Sequence, residues 1–248
     1  MVKLFSRRLV VWFDVTHFLK MKYSASKENY LKAIFHLQQE HASVSTNALA
    51  QALQTKAASV TDMLKKLKAQ KLLQYERYKG VKLTAEGRKV AIVIIRKHRL
   101  WEFFLVNKLG FGWEEVHEIA EELEHISSKK LIDRLEEFLG FPKADPHGDP
   151  IPDGQGRMPV SKQINLVDLP VNIMSTVSNI GDQSAEIMEL LNHNHIKIGT
   201  RLEVKKKFIF DNSLEIKLRN KSAFIISEHL AKNLFVKYEE PFQEKAKS

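Results

Sequence analysis

The order of short amphipathic segments between Ser26 and Thr84 constrains the fold of this chain more than any other feature. Apolar residues recur at helical spacing in three segments, which begin near Ser26, at Ser45 and at Ala58. Only the break Gln54-Thr55-Lys56 separates the second segment from the third. Two short helices joined by a tight turn form a helix-turn-helix, and the stretch therefore predicts one.

A β-hairpin pattern follows the third helical segment. Leu72–Tyr75 and Val81–Thr84 have the composition of short strands, and Tyr78-Lys79-Gly80 supplies the turn between them. A hairpin placed directly after a helix-turn-helix is a wing, so the sequence predicts a winged helix.

The region after the wing predicts a helical domain. A long helix is expected from about Glu86 to Leu109, followed by helices over Trp113–Ile126 and Ser128–Leu139. The segment Gly140–Arg157 then holds four prolines and four glycines in eighteen residues. This density of helix-breaking residues indicates a loop or linker.

The C-terminal part changes to short β-like runs. One short helix is expected near Gln183–Leu191, and a small β-barrel is the predicted result. The expected strands are Ile173–Val177, Ile198–Val204, Leu214–Leu218 and Phe224–Ile226.

The chain of 248 residues has room for two domains or three small ones. The fold class is mainly α with small β. The predicted boundaries are 1–20 for an N-terminal extension, 21–85 for the winged helix, 86–142 for the helical domain, 143–162 for a linker, 163–238 for the barrel and 239–248 for a polar tail.

The absence of cysteine narrows the chemistry, because disulfides, thiolate metal sites and cysteine nucleophiles are excluded. The stretch Leu4–Met21 is apolar in places, but Arg7, Arg8 and Asp14 interrupt it and no small-residue cleavage site follows. We expect neither a signal peptide nor a membrane span, and a cytoplasmic location. Residues 1–20 are either an extra helix or the product of a translation start assigned too far upstream.

Charge is distributed unevenly along the chain, whose formal net charge is +9. From Lys56 to Arg99 there are thirteen Lys and Arg residues against three acids, whereas from Glu114 to Gly140 there are nine acids against three bases. The basic block covers the helix-turn-helix and wing, which favours a polyanionic partner for that region.

The second helix of a helix-turn-helix enters the major groove, and its N-terminal residues meet base edges. Small residues there permit close approach, and basic residues on the helix and wing neutralise phosphates. Each lysine alone could simply be solvated, but the coincidence of helix-turn-helix, wing and basic block favours DNA binding. The predicted DNA-binding residues are Lys56, Ala58, Ser59, Thr61, Asp62, Lys65, Lys66, Arg77 and Lys79, with Lys68 and Lys82 as further phosphate partners.

Histidines and carboxylates recur at helical spacing in the central region. Imidazole and carboxylate ligands without sulfur favour Mn, Fe, Co or Zn in a four- to six-coordinate site. A solvated acidic helix with incidental histidines is the alternative, and the presence of the pattern on two consecutive helices counts against it. The first set is His98 and Glu102, four residues apart, and the second is His117, Glu121, Glu124 and His125.

Two other functions stay open at this point. His117-Glu118 begins like the metalloprotease motif His-Glu-x-x-His, but that motif requires histidine at 121, where this chain has glutamate. A metal-dependent hydrolase is therefore the weakest alternative, and we expect the chain not to be an enzyme. A winged-helix regulator that answers an organic ligand, with a merely structural His/Glu cluster, is the stronger one.

From about Ser24 to Lys237 the sequence resembles the metal-dependent repressors of the diphtheria toxin repressor and manganese transport regulator type. The resemblance implies a winged helix, a helical metal-binding and dimerisation domain, and a C-terminal SH3-like barrel similar to FeoA. Its motifs are Ser26-Lys27-Glu28-Asn29-Tyr30-Leu31-Lys32-Ala33-Ile34, Ser59-Val60-Thr61, Arg96-Lys97-His98-Arg99-Leu100, His117 to His125, and Gly148-Asp149-Pro150-Ile151-Pro152.

The resemblance also implies two groups of metal ligands. The primary site would use Asn29, Glu121, Glu124 and His125. The ancillary site would use His98, Glu102 and His117, with Gln183 and Glu186 as distal ligands, and His98 could serve either site.

Glu121 favours Mn(II) over Fe(II) as the physiological metal, because a hard carboxylate suits the harder ion; Zn(II) and Co(II) are further ions that such a site can take in vitro. Two residues depart from the family pattern: Asn29 stands where a Met or Asp is usual, and Lys32 stands where manganese-only regulators carry a carboxylate. The resemblance implies a homodimer that binds double-stranded operator DNA, with neither a membrane nor a small organic substrate as partner.

Overall fold

The computed structural model describes residues 23–40, 42–76, 80–159, 162–219 and 221–238. The predicted extension 1–20 and the polar tail 239–248 lie outside the described residues, as do the predicted DNA-binding residues Arg77 and Lys79.

The N-terminal domain has the predicted helix-turn-helix and wing. Helix α1 (Ala25–Glu40) is followed by α2 (Thr46–Ala52) and α3 (Ala57–Ala69). The wing consists of strands β1 (Leu73–Glu76) and β2 (Gly80–Leu83), which pair antiparallel. The Ser45 side chain caps α2 by accepting a hydrogen bond from the backbone N–H of Ala48. Apolar residues of all three helices and the wing form one core, among them Leu31, Ile34, Leu49, Leu64 and Val81.

A long helix, α4 (Ala85–Leu109), connects this domain with the next. Thr84 caps its start by accepting from the N–H of Gly87, and Gly110 ends it in the left-handed conformation with φ 74°. The first half of α4 contributes Ile92 and Ile95 to the winged-helix core, whereas the second half contributes Leu100 to a separate core. One continuous helix therefore belongs to both domains.

Two shorter helices complete the second domain, α5 (Val116–Leu123) and α6 (Lys129–Phe138). The sequence predicted that α5 would begin at Trp113. The structure places a turn there instead, closed by a hydrogen bond from the N–H of Glu115 to the carbonyl oxygen of Gly112, and the Glu115 side chain accepts from the N–H of Gly112. Trp113 packs on the C-terminal domain, and its indole N–H donates to Asn192 Oδ1 at 3.0 Å.

The C-terminal domain is a six-stranded antiparallel sheet in the order β3-β8-β4-β5-β6-β7. Among the described residues the strands form a single ladder with β3 and β7 at its ends, and the four predicted strands are present in it as β4, β5, β6 and β7. The strands β3 and β8 and the short helix α8 were not predicted. The elements are β3 (Ile164–Asn165), β4 (Met174–Ile180), α7 (Ala185–His193), β5 (Arg201–Lys207), β6 (Leu214–Leu218), β7 (Phe224–Ile226), α8 (Glu228–Lys232) and β8 (Leu234–Tyr238), with a 3₁₀ turn at Leu166–Asp168.

The Pro/Gly-rich segment that joins the two domains has a fixed structure of its own. Asp145 accepts from the backbone N–H groups of His147 and Asp149, at 2.9 Å each, and thereby closes a tight turn. Gly148 has φ +89°, and a Cβ there would meet the carbonyl oxygen of Ser178 in β4 at 2.0 Å. The turn is therefore packed directly on the sheet, and it buries Asp145 and His147.

None of the described helices is both long enough and apolar enough to cross a membrane.

Candidate metal centre and DNA-binding surface

Glu102 of α4 is the centre of a buried cluster of imidazoles and carboxylates. His98, one turn earlier on the same helix, donates from Nε2 to Glu102 Oε1 at 3.0 Å. His117 of α5 approaches the same oxygen with Nδ1 at 3.3 Å, and the other oxygen lies 3.7 Å from Nδ1 of His147. The Glu102 side chain is 1% exposed, so its charge is neutralised by these rings and not by water.

Glu124 is a second buried carboxylate, and it lies on the other side of His98. Its Oε2 accepts from His98 Nδ1 at 2.7 Å and from Lys32 Nζ at 2.8 Å. Its Oε1 has no hydrogen-bond partner among the described residues, and His125 Nε2 lies 3.9 Å away from it. His98 thus bridges the two carboxylates, which joins the groups around Glu102 and Glu124 into one continuous cluster.

Helix α1 of the winged helix contributes two side chains to this cluster. Glu28 Oε2 accepts from His125 Nδ1 at 2.6 Å. Lys32, one turn later, pairs with Glu121 Oε1 at 3.1 Å as well as with Glu124. The cluster therefore connects the DNA-binding domain to the end of α5.

The ionisation of these groups is strongly coupled. Burial alone would lower the pKa of His98, but the hydrogen bonds to Glu102 and Glu124 overcome it and raise the pKa to about 9. Burial would raise the pKa of Glu102, but the neighbouring imidazoles of His117, His147 and His98 hold it well below its usual value. The pKa of Glu124 is lowered against burial by His98 and by the charge of Lys32. The cluster consequently contains ionised carboxylates around a protonated His98.

A second group of possible ligand atoms adjoins the first through Glu102. Ligand atoms of Glu102, Asp145 and His147 lie within 4.8 Å of one another, and all three residues are buried. His147 is oriented by its Nε2, which donates to the carbonyl oxygen of Trp113 at 2.8 Å. Burial raises the pKa of Asp145 well above its usual value, and the neighbouring charges of Asp149 and Glu102 add to this.

Most of the predicted metal ligands lie in the cluster, whereas Asn29 and the two distal ligands do not contact it. Asn29 lines a cleft of about 650 Å³ with Ser59, Asp62 and Lys66 of α3, so it faces the recognition helix. Gln183 donates to Asp149 Oδ2 at 3.1 Å, and Glu186 is exposed in the first turn of α7. The residues brought together are His98, Glu102, His117, Glu121, Glu124 and His125.

Sequence reasoning missed three members of the site: Glu28, Asp145 and His147. Glu28 lies in the motif Ser26 to Ile34, but the resemblance implies the neighbouring Asn29 as the ligand. Asp145 and His147 fall in a segment without helical or strand periodicity, so no spacing rule connects them to Glu102. The pattern Asp-x-His in a Pro/Gly-rich turn was the one available signal.

The donor set fits a divalent cation. Buried polar atoms normally have hydrogen-bond partners, yet Glu124 Oε1, Asp145 Oδ2 and His147 Nδ1 have none among the described residues. All three belong to groups that ligate metals, and the neighbouring donors are oxygen and imidazole nitrogen without sulfur. This combination suits first-row divalent ions such as Mn(II), Fe(II), Co(II) and Zn(II).

The N-terminal part of α3 presents a polar surface beside the wing. Lys56, Ala58, Ser59, Asp62, Lys65 and Lys66 are exposed. Thr61 donates its hydroxyl to the carbonyl oxygen of Ala57, and Asp62 pairs with Lys65 at 3.3 Å. Lys68 instead donates to the carbonyl oxygen of Tyr75 in β1, so it connects α3 to the wing.

Fold and site together define the class of winged-helix DNA-binding proteins, with a buried cluster of carboxylates and imidazoles in the second domain whose chemistry suits a metal ion. Three family models match the chain in succession. The model described as the iron dependent repressor N-terminal DNA binding domain covers residues 22–81, the iron dependent repressor metal binding and dimerisation domain covers 84–153, and the FeoA domain covers 164–238.

The chain is also similar to individual repressors in sequence and in structure. The iron-dependent repressor IdeR of Mycobacterium tuberculosis is 35% identical over 146 residues, which are 57% of this chain and 64% of that protein. The diphtheria toxin repressor of Corynebacterium efficiens is 30% identical over 189 residues, or 71% of this chain and 81% of that protein. A manganese-dependent transcriptional repressor in complex with manganese superposes with a TM-score of 0.79 at 32% identity, covering 86% of this chain and 100% of that one. The chain belongs to the iron-dependent repressor family, which contains both iron- and manganese-dependent members.

Proposed function

We propose that this chain is a metal-dependent transcriptional repressor that binds double-stranded operator DNA as a homodimer when Mn(II) or Fe(II) is available. The observation that carries the proposal is the buried cluster itself, because it connects α1 of the winged helix to α5 of the second domain through Glu28, Lys32, Glu124 and His125.

The positions of these residues suggest how metal and DNA binding are coupled. A bound divalent cation would supply the positive charge that holds carboxylates and imidazoles of different helices together. Glu28 and the orphan Oε1 of Glu124 lie on either side of His125, so ligation there would fix α1 relative to α4 and α5. Because α1 packs on the helix-turn-helix, its position sets that of α3.

The dimer would bring two copies of α3 to successive major-groove faces about one helical turn, ~34 Å, apart. Metal and operator would then each increase the affinity for the other, typically by about 1–3 kcal/mol. Relatives bind iron or manganese, and Glu121 offers a hard carboxylate in a site without sulfur, which supports Mn(II) as the physiological ion. Asn29 remains a candidate ligand through its buried, unpaired Oδ1, and Glu102, Asp145 and His147 are candidates for a second ion.

The first prediction tests the site directly. E124A and H125A should abolish Mn(II)-activated DNA binding and leave helical content unchanged, because each removes a donor at the junction of α1 and α5. Duplexes are first selected from a random library by the wild-type chain in Mn(II), and binding is then followed by fluorescence anisotropy with Mn(II) or chelator. E189A, an exposed carboxylate of α7 outside the predicted ligand set, is the matched control and should behave as wild type. Metal-activated binding that survives in E124A would contradict the assignment.

A further inference from the structure

Lys32 occupies an unusual position for a lysine. Its side chain is only 13% exposed, and its ammonium group lies 2.8 Å from Glu124 Oε2 and 3.1 Å from Glu121 Oε1. The same Oε2 of Glu124 also accepts from His98 Nδ1. The ammonium group therefore contacts two carboxylate oxygen atoms that the proposed metal site would use.

Helix α1 places a second charged side chain in the same cluster. Glu28 and Lys32 are one helical turn apart and both face the cluster, whereas the intervening Asn29 faces the cleft beside α3. Helix α1 thus places one anion and one cation into the site, the anion on His125 and the cation on the two carboxylates of α5 and its C-terminal end.

We infer that Lys32 is a built-in cation that competes with the metal ion for Glu121 and Glu124 and so sets the metal concentration at which the protein responds. The inference rests on the proposed function and adds to it a residue that opposes metal binding. Two cations cannot share the same carboxylate oxygens at short range without strong repulsion, particularly where burial weakens solvent screening. Metal binding therefore requires the ammonium group to leave, and the flexible four-carbon stem of lysine allows it to do so.

Without metal, the positive charge of Lys32 stabilises the site. Its ammonium group lies between two neighbouring carboxylates that would otherwise repel each other, and its charge adds to the hydrogen bond from His98 in lowering the pKa of Glu124 against burial. Lys32 thereby keeps the carboxylates in a position to bind a metal ion, but it lowers the affinity of the site for that ion.

Calorimetric titration of the full, metal-free chain with Mn(II) tests the inference. K32M keeps the length of the side chain and removes its charge, so it should bind Mn(II) about tenfold more tightly, the order expected when one like charge is removed beside an ionic site. K32R keeps the charge and should stay close to wild type. K232M removes a lysine that pairs with Glu228 at 2.8 Å in the C-terminal domain, and it should leave Mn(II) affinity unchanged.

A second measurement needs no variant. The acetylation rate of Lys32 by acetic anhydride, followed by mass spectrometry in the wild-type chain, should rise when Mn(II) is added because the amine leaves the carboxylates. A rate that falls with Mn(II), or Mn(II) affinity in K32M equal to or weaker than wild type, would overturn the role of Lys32 and leave the metal-dependent function standing. Absence of both Mn(II) and Fe(II) binding by wild type and K32M would overturn the proposed function itself.

Discussion

At the scale of single residues, His98 is a position where a proton and the proposed metal ion would compete. Both of its ring nitrogens are bonded to carboxylates, and these bonds raise its pKa to about 9 against the effect of burial. A ring nitrogen that holds a proton cannot ligate a metal ion. Metal binding at His98 therefore has to displace a proton over the whole neutral pH range.

This competition predicts the pH dependence of metal affinity. Because the pKa is raised, His98 is protonated in the metal-free protein below about pH 9, so Mn(II) affinity should rise with pH between about pH 6 and pH 8, by about tenfold per unit for each proton displaced. Calorimetry in buffers of different ionisation enthalpy measures the number of protons released. H98Q, which cannot hold a proton, should remove one proton from that number. Mn(II) affinity that is independent of pH would show that His98 is not a ligand.

At the scale of elements, the spacing of apolar residues predicted the helices and the wing, but it did not predict elements that are defined only by long-range pairing. The helix-turn-helix, the wing and α4 follow from apolar spacing and capping residues such as Ser45 and Thr84, because these interactions are local in sequence. His98 and Glu102 were found for the same reason, since four residues on a helix share a face. Strand β3 has only two residues and is defined by its pairing with β8, which no local pattern records.

The site residues that the sequence did not predict were missed for the same physical reason. Asp145 and His147 reach Glu102 because a tight turn packs on the C-terminal sheet, and Glu28 reaches His125 because α1 docks on α4 and α5. Both contacts are tertiary. Helical spacing could locate the faces of α4 and α5, but it could not show which side chain of α1 or which turn would complete the cluster.

Two lysines of helix α3 are expected to differ in role, one contacting DNA phosphates and the other holding the wing in place. Lys65 is exposed, so K65A should weaken binding to all duplexes alike and reduce the slope of log K against log salt by about one unit. Lys68 is committed to the carbonyl oxygen of Tyr75, and K68A should lower affinity by loosening the wing without changing the salt slope. Anisotropy titrations at several salt concentrations measure both. A loss in K65A confined to one base pair would make Lys65 a reader of sequence.

At the scale of the whole molecule, the chain behaves as three domains connected through one helix and one turn. Helix α4 belongs to the cores of the first two domains, and Arg99 on that helix contacts Asp149, which also accepts from Asn179 and Gln183 of the third. The metal cluster lies where these connections meet. A change in the cluster can therefore reach both the DNA-binding surface and the C-terminal domain through packed structure.

We predict that the exposed apolar side chains of helix α6 form the dimer contact. Helix α6 buries Ile132 and Leu135 in its own core, but Leu131 is 42% and Phe138 is 65% exposed, and family membership assigns dimerisation to this region. Exposed apolar side chains on one helix are a typical interface signal. F138S should therefore convert the protein to a monomer in sedimentation velocity and weaken binding to a two-half-site duplex, while Mn(II) binding is retained.

The matched control for F138S is F210S, because Phe210 is fully exposed on the hairpin between β5 and β6 of the C-terminal domain. Removal of this ring should leave both the sedimentation coefficient and DNA affinity unchanged. A single half-site duplex gives a further comparison, since F138S and wild type should bind it similarly if only the pairing of recognition helices is lost. F138S that remains dimeric at low micromolar concentration would place the dimer contact on another face of the molecule, and equal loss of affinity for one and two half-sites would point to a damaged DNA-binding domain instead.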